Sequence, residues 1–138
     1  SQRQPIVRFV GRNGGYYADR YGRAFPLQST YTSYVQTVDG CIPDMNDSTG
    51  IKKIVNLVNY LDENPLWRKK IVNISADSTG NITLIPRKGQ EKFLFGQPED
   101  IEEKMERIKL YYTSIIPATD SNRYTTVNVK YSGQIICK

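Results

Sequence analysis

At 138 residues, with 38% apolar and 24% charged residues, the chain has the size and composition of one ordinary globular domain and is too short for two full cores. Nineteen Lys and Arg against 14 Asp and Glu leave a net charge of +5, modest for a protein that grips nucleic acid through a concentrated basic face. The complete absence of histidine excludes Ser-His-Asp and Cys-His arrangements and histidine-containing zinc sites, and the wide separation of Cys41 and Cys137 excludes a CxxC signature.

The N-terminal third reads as short strands. Ile6 to Val10 and Tyr16 to Ala18 flank Asn13-Gly14-Gly15, a hairpin signal, and Arg23 to Leu27 follows, with Pro26 arguing for an edge. Thr32 to Val38 is rich in β-branched residues and Tyr and stops at Asp39-Gly40. Ile51, Ile54, Val55, Val58 and Leu61 recur at helical spacing, which predicts a helix over Thr49 to Glu63 that ends at Asn64-Pro65. Strands at Ile71 to Ser75, Asn81 to Ile85 and Glu91 to Phe95 come next. A second helix starts with Pro98 in its first turn and runs to about Ser114, its apolar face traced by Ile101, Met105, Ile108, Tyr112 and Ile115. The last segment, Tyr124 to Cys137, reads as one long strand. This order implies an α+β fold: an antiparallel sheet, mixed at most, with two helices packed on one face.

No apolar run approaches the roughly 18 residues that span a bilayer, and Ser1-Gln2-Arg3-Gln4 does not look like a signal peptide. Arg68-Lys69-Lys70, the densest basic cluster, is shorter than the blocks of about 5 or 6 like charges that act as interaction tails, and reads as a solvated face rather than a phosphate site. Asp44, Asn46 and Ser48 have the spacing that opens a calcium loop, but Thr49 and Val55 stand where glycine and a bidentate glutamate are needed. Asp77-Ser78-Thr79-Gly80 reads as a hairpin turn. Asn46, Asn73 and Asn81 head sequon-type tripeptides, a pattern too short to carry weight. Two readings remain beside each other at this level: a binding module with a pocket lined by some of the ten tyrosines, and an enzyme working with carboxylates alone.

The order of the pieces resembles the β domain of the bacterial cell-division family FtsQ, also called DivIB. Gln4-Pro5-Ile6-Val7-Arg8 is similar to the strand that leaves the family's POTRA domain, and Tyr16 to Gly22 to its aromatic, Asp and Gly segment. Phe25-Pro26-Leu27, Val38-Asp39-Gly40, the helix from Ile51, Ile82-Thr83-Leu84 and Gly89 to Gly96 follow in family order. Lys104, Arg107 and Tyr111 lead into Tyr124 to Tyr131, similar to the last long strand, and Tyr131 to Lys138 resembles a Bacteroides-type branch.

The resemblance implies a single β domain over residues 1–138, with residues 1–12 continuing from a POTRA domain and a transmembrane helix lying outside this fragment. It implies a non-catalytic scaffold without cofactor or metal, on the periplasmic side of the inner membrane, that binds FtsB and FtsL to promote septum formation. Lys130, Tyr131, Ser132, Gly133, Gln134 and Ile135 match the partner-binding region, with strand addition to an open edge as the expected mode. An oxidising periplasm would also permit a Cys41–Cys137 disulfide, although nothing in the sequence brings the two together. Asp47-Ser48-Thr49 and Asp77-Ser78-Thr79 are similar to the O-glycosylation pattern of Bacteroides-type bacteria, which makes Ser48 and Ser78 candidate glycan sites.

Overall fold

The computed structural model describes residues 4–27, 35–118 and 124–138. Nine strands form one sheet: β1 (Pro5–Gly11), β2 (Gly14–Asp19), β3 (Ala24–Pro26), β4 (Gln36–Gly40), β5 (Ile71–Ala76), β6 (Ile82–Pro86), β7 (Lys92–Gly96), β8 (Thr126–Asn128) and β9 (Ile136–Cys137). Helix α1 (Ser48–Glu63) lies between β4 and β5, and α2 (Ile101–Leu110) between β7 and β8. The spatial order is β3-β2-β1-β4-β5-β6-β7-β8-β9. Neighbours pair antiparallel except at β1–β4, β4–β5 and β7–β8, so the fold is α+β with a mixed sheet.

The parallel joints explain why both helices share a face. Strands β4 and β5 are parallel, and two antiparallel steps through β6 return β7 to that same direction. The crossovers β4-α1-β5 and β7-α2-β8 therefore step the same way across the sheet from strands of the same sense. Crossovers of this kind are right-handed in nearly all proteins, so both helices must fall on one side. Lys53 of α1 reaches Glu99, just ahead of α2, at 2.8 Å, and the buried residues of both helices join one core.

Cross-strand register builds that core. Tyr16, Phe9, Val38, Ile74, Leu84, Phe93, Val127 and Cys137 are successive partners from β2 to β9. The six from Phe9 to Val127 have no solvent exposure. The neighbouring row, Val10, Asp39, Ser75, Thr83, Leu94, Asn128 and Ile136, points to the uncovered face and is mostly polar or half-exposed.

Several boundaries differ from the sequence reading. The expected start of the fourth strand at Thr32 lies outside the described residues, and β4 extends to Gly40. There a Cβ would sit 2.2 Å from the Ala76 oxygen with φ at +87°, so only glycine allows the β4–β5 approach. The N-cap of α1 is Asp47, whose Oδ1 accepts from the Gly50 amide at 3.0 Å, and not Ser48 or Thr49. Pro98 precedes α2, whose N-cap is Asp100. Beyond Leu110 the helix widens into a π-helical turn, Tyr111–Ile115, which buries Tyr111 completely and leaves Tyr112 36% exposed. The predicted apolar stripe through Tyr112 is thus displaced by one residue.

The long final strand is also corrected. It is a short hairpin, β8 and β9, because the Lys130 amide bonds to Asn128 Oδ1 at 2.9 Å and Gly133 adopts φ +70° in the intervening turn. Val127 and Val129 are buried and Ile135 and Cys137 pack against the core as the alternation requires, but Tyr131 swings out to 54% exposure.

Lys69, in the turn between α1 and β5, holds φ +62°, a left-handed conformation that costs an L-residue roughly 1–2 kcal/mol. Its carbonyl accepts from Arg87 Nε at 2.8 Å, which keeps the turn in place. Glycine removes that cost but adds about 0.4–1 kcal/mol of unfolded-state freedom. Lys69→Gly is therefore expected to stabilise the protein by up to about 1 kcal/mol, read from the midpoint of urea unfolding.

Candidate partner-binding edge

The two ends of the sheet differ. β3 is three residues long and ends in Pro26, which blunts it against further pairing. At the other end Thr126 and Lys138 exchange main-chain bonds of 3.1 and 3.0 Å, and Thr125 donates to the same Lys138 oxygen at 2.7 Å. In an antiparallel ladder alternate residues face the partner. Lys138 and Ile136 thus turn their main-chain groups to β8, and the amide and carbonyl of Cys137 face outward, beyond the last strand.

The structure gathers the six residues of the expected partner-binding region beside this edge. Tyr131, Ser132, Gly133 and Gln134 form the exposed β8–β9 turn, flanked by half-buried Lys130 and Ile135. Lys130 Nζ lies 5.6 Å from the centre of the Tyr131 ring. Gly96, at φ +76°, leaves room for the Lys130 stem, which a Cβ there would meet at 2.9 Å. The Gln134 amide donates to the Tyr131 carbonyl at 3.2 Å, so it is spent within the turn and is not offered to a partner strand.

The edge is fastened from beneath. Arg107 of α2 brings Nε and Nη2 to the Val129 carbonyl at 3.1 and 2.9 Å, and the Val129 amide donates to Leu94 of β7 at 3.0 Å. Tyr111 donates its hydroxyl to Glu91 Oε2 at 2.8 Å inside the core and sits edge-on to Phe93 at 5.6 Å. Nothing in the residue pattern around Glu91, one acid at the head of an apolar strand, announces this buried pair. Burial, then the Glu91 hydrogen bond, raises the Tyr111 phenol above its ordinary range. Tyr112 is pushed up to about 12 by burial and then by the Glu91 charge.

Both phenols are more acidic in the unfolded chain, where they ionise near pH 10. Their folded values are raised, so the associated stability is present below about pH 10 and lost as pH climbs through the folded values. Burial also raises Tyr16 and Tyr60, so absorbance at 295 nm is expected to show at least four tyrosines that ionise late, with the urea midpoint falling from about pH 10 upward.

Cys41 is exposed and Cys137 half-buried, and both thiols are free. Cys41 directly follows β4, while Cys137 lies in β9, five strand spacings or about 24 Å away at ~4.8 Å each, far beyond the ~7 Å that a disulfide tolerates. Burial raises the Cys137 thiol. Iodoacetamide without reductant is expected to modify both cysteines, Cys41 first, as read by intact mass over time. Ser48 and Ser78 are both exposed, and neither does the local capping: Asp47 caps α1, and Asp77 Oδ1 holds the Thr79 and Asn81 amides at 2.9 and 3.0 Å.

Among the described residues the tyrosines do not converge on one pocket. One surface cavity is lined by Tyr21 and another by Tyr16, whereas Tyr111 belongs to the core. Asp19 and Asp62 do face one cavity, but Asp19 accepts from the Tyr21 and Arg23 amides at 3.0 and 2.9 Å, and Asp62 lies 3.9 Å from Arg68. Among the described residues, no cluster of three or more His, Cys, Asp or Glu is placed to hold a metal.

Over residues 4–138 the sequence matches the family described as FtsQ/DivIB, C-terminal related. The chain belongs to that family. The FtsQ/DivIB family is a non-catalytic family of cell-division proteins that works through divisome interactions, and its C-terminal domain is typically extracellular or periplasmic. No curated protein matches the chain. Among the described residues of this FtsQ/DivIB-related domain, no helix is long and apolar enough to cross a membrane.

Proposed function

We propose that this FtsQ/DivIB-related domain is a non-catalytic adaptor of the divisome that recruits its partners by adding one of their segments as a tenth strand beside β9. The observation that carries the reading is the outward-facing main chain of Cys137 on an edge that pairs with no further strand among the described residues, next to the exposed turn Tyr131 to Gln134. An added strand gains main-chain hydrogen bonds at Cys137, and the tyrosine and lysine of the turn supply side-chain selectivity. FtsB and FtsL are the partners this reading names, with septum formation as the outcome. The domain works on the periplasmic face of the inner membrane, held there by an anchor outside residues 1–138.

Proline at an edge position deletes a donor without breaking the ladder behind it. Cys137→Pro is expected to keep the fold by circular dichroism and to weaken binding of the FtsB periplasmic segment by about ten-fold or more, while Cys137→Ser, which keeps the amide, binds normally. Equal binding by the folded proline variant would sink the strand-addition reading.

A further inference from the structure

A charged depression lies in the half of the sheet away from β9 and takes no part in the edge. It has a volume of about 750 Å³ and opens between the start of β1, the β2–β3 turn, the start of β4, the C-terminal turns of α1 and the loop that follows. That volume falls within the range of sites that enclose small ligands, roughly 300–1,000 Å³.

Its charges are unbalanced. Four cations, Arg20, Arg23, Arg68 and Lys69, line it against two carboxylates, Asp19 and Asp62. Arg23 is 3.4 Å from Asp19 and Arg68 is 3.9 Å from Asp62. Arg20 and Lys69 have no carboxylate within 4 Å among the described residues, which leaves two cations uncompensated over the opening. Lys69 is also the residue held in a left-handed conformation, by a hydrogen bond from Arg87 to its own carbonyl. A lysine kept there against its backbone preference, when glycine would serve the turn better, fits a position selected for its charge.

An independent observation points inward. Gln36, more than nine-tenths buried, lines the cavity, and its Nε2 has no hydrogen-bond partner among the described residues. A buried amide donor without an acceptor is costly, and an incoming carbonyl or carboxylate oxygen would relieve it. Beside it Val58, Leu61 and Trp67 provide an apolar wall, suited to the methylenes and peptide planes of a short chain rather than to a bare inorganic anion.

We propose that this cavity is a binding site for a short acidic peptide, whose carboxylates meet Arg20 and Lys69 and whose backbone carbonyl accepts from Gln36 Nε2. Charge-assisted hydrogen bonds to the guanidinium fix the peptide's orientation, the two native ion pairs at Asp19 and Asp62 frame the opening, and the uncompensated charge of Arg20 and Lys69 turns away basic ligands. The site is separate from the β9 edge, so one domain can hold an acidic segment and an added strand at once.

The test is a titration of the 138-residue chain with acetyl-Glu-Glu-Glu-amide, followed by ¹H–¹⁵N NMR at the Gln36 side-chain amide and the Trp67 indole. The expected result is saturable shifts at both reporters, weakened by added salt and absent with acetyl-Gln-Gln-Gln-amide. The double variant Arg20→Ala, Lys69→Gly is expected to lower affinity about ten-fold or more while staying folded, since the glycine suits its backbone. Gln36→Leu removes the buried donor and is expected to weaken binding separately, whereas Cys137→Pro leaves it unchanged. No saturable shift at millimolar peptide, or equal affinity for inorganic phosphate, would overturn the proposal. So would equal binding by the double variant, or reporter shifts that depend on protein concentration alone, which would assign the cavity to a second copy of the chain.

Discussion

A single line of side chains running across the strands, from Tyr16 in β2 to Cys137 in β9, holds this sheet in register. Each large apolar member of it contributes about 1.5–3 kcal/mol by leaving water. The alternative register is far worse than neutral. Sliding β4 by one residue would bring Asp39 under the helices, and the same slip in β5, β6 or β8 would bring Ser75, Thr83 or Asn128. The helices add to this constraint. Their apolar faces, with Ile54, Val58, Met105 and Ile108, close over the same line and complete one core.

That constraint also decides where function can reside. One sheet face is sealed by α1 and α2, so contact with other molecules falls to the uncovered face, the edges, the turns and the depressions where elements meet. Of the edges, β3 is short and capped by proline, and β9 is open. Arg107 and Tyr111, both from the α2 end of the helical layer, reach under this side of the sheet. The edge is therefore rigid in position while its outer main-chain groups stay unpaired, a combination that lowers the ordering cost for an incoming strand.

The sequence showed the elements better than their joints. Ile51 to Leu61 repeat at helical spacing, and Ile71 to Phe95 alternate between turn signals, so α1 and β5 to β7 could be placed within a residue or two. The Tyr131 to Gln134 segment drew its expected partner-binding role from likeness to a known family alone. The segment's conformation could not: alternation looks the same in one long strand and in a hairpin whose two arms keep parity, and only the Asn128 and Gly133 geometry separates them. The π-helical turn was equally invisible, because it is set by the Tyr111 contact with Glu91 twenty residues away. The cavity near Gln36 draws on segments from Gln4 to Lys69, and no local pattern foretells which of their charges remain unpaired.

Strand β4 has a further consequence. Within the sheet it joins the β1–β3 unit to the β5–β7 meander, and both of its pairings are parallel. The units on either side can assemble from nearby residues through hairpins, within microseconds for the turns alone. Seating β4 requires closing the connection from β1 and the crossover through α1, and closing such loops precedes any reward from the contacts they enable. Until that happens, β1 and β5 each present a raw edge flanked by Phe9 and Ile74, which are later fully covered. The five residues Gln36–Gly40 thus govern how long the nascent domain stays adhesive, and a delay in their docking opens a route to pairing with the wrong strand.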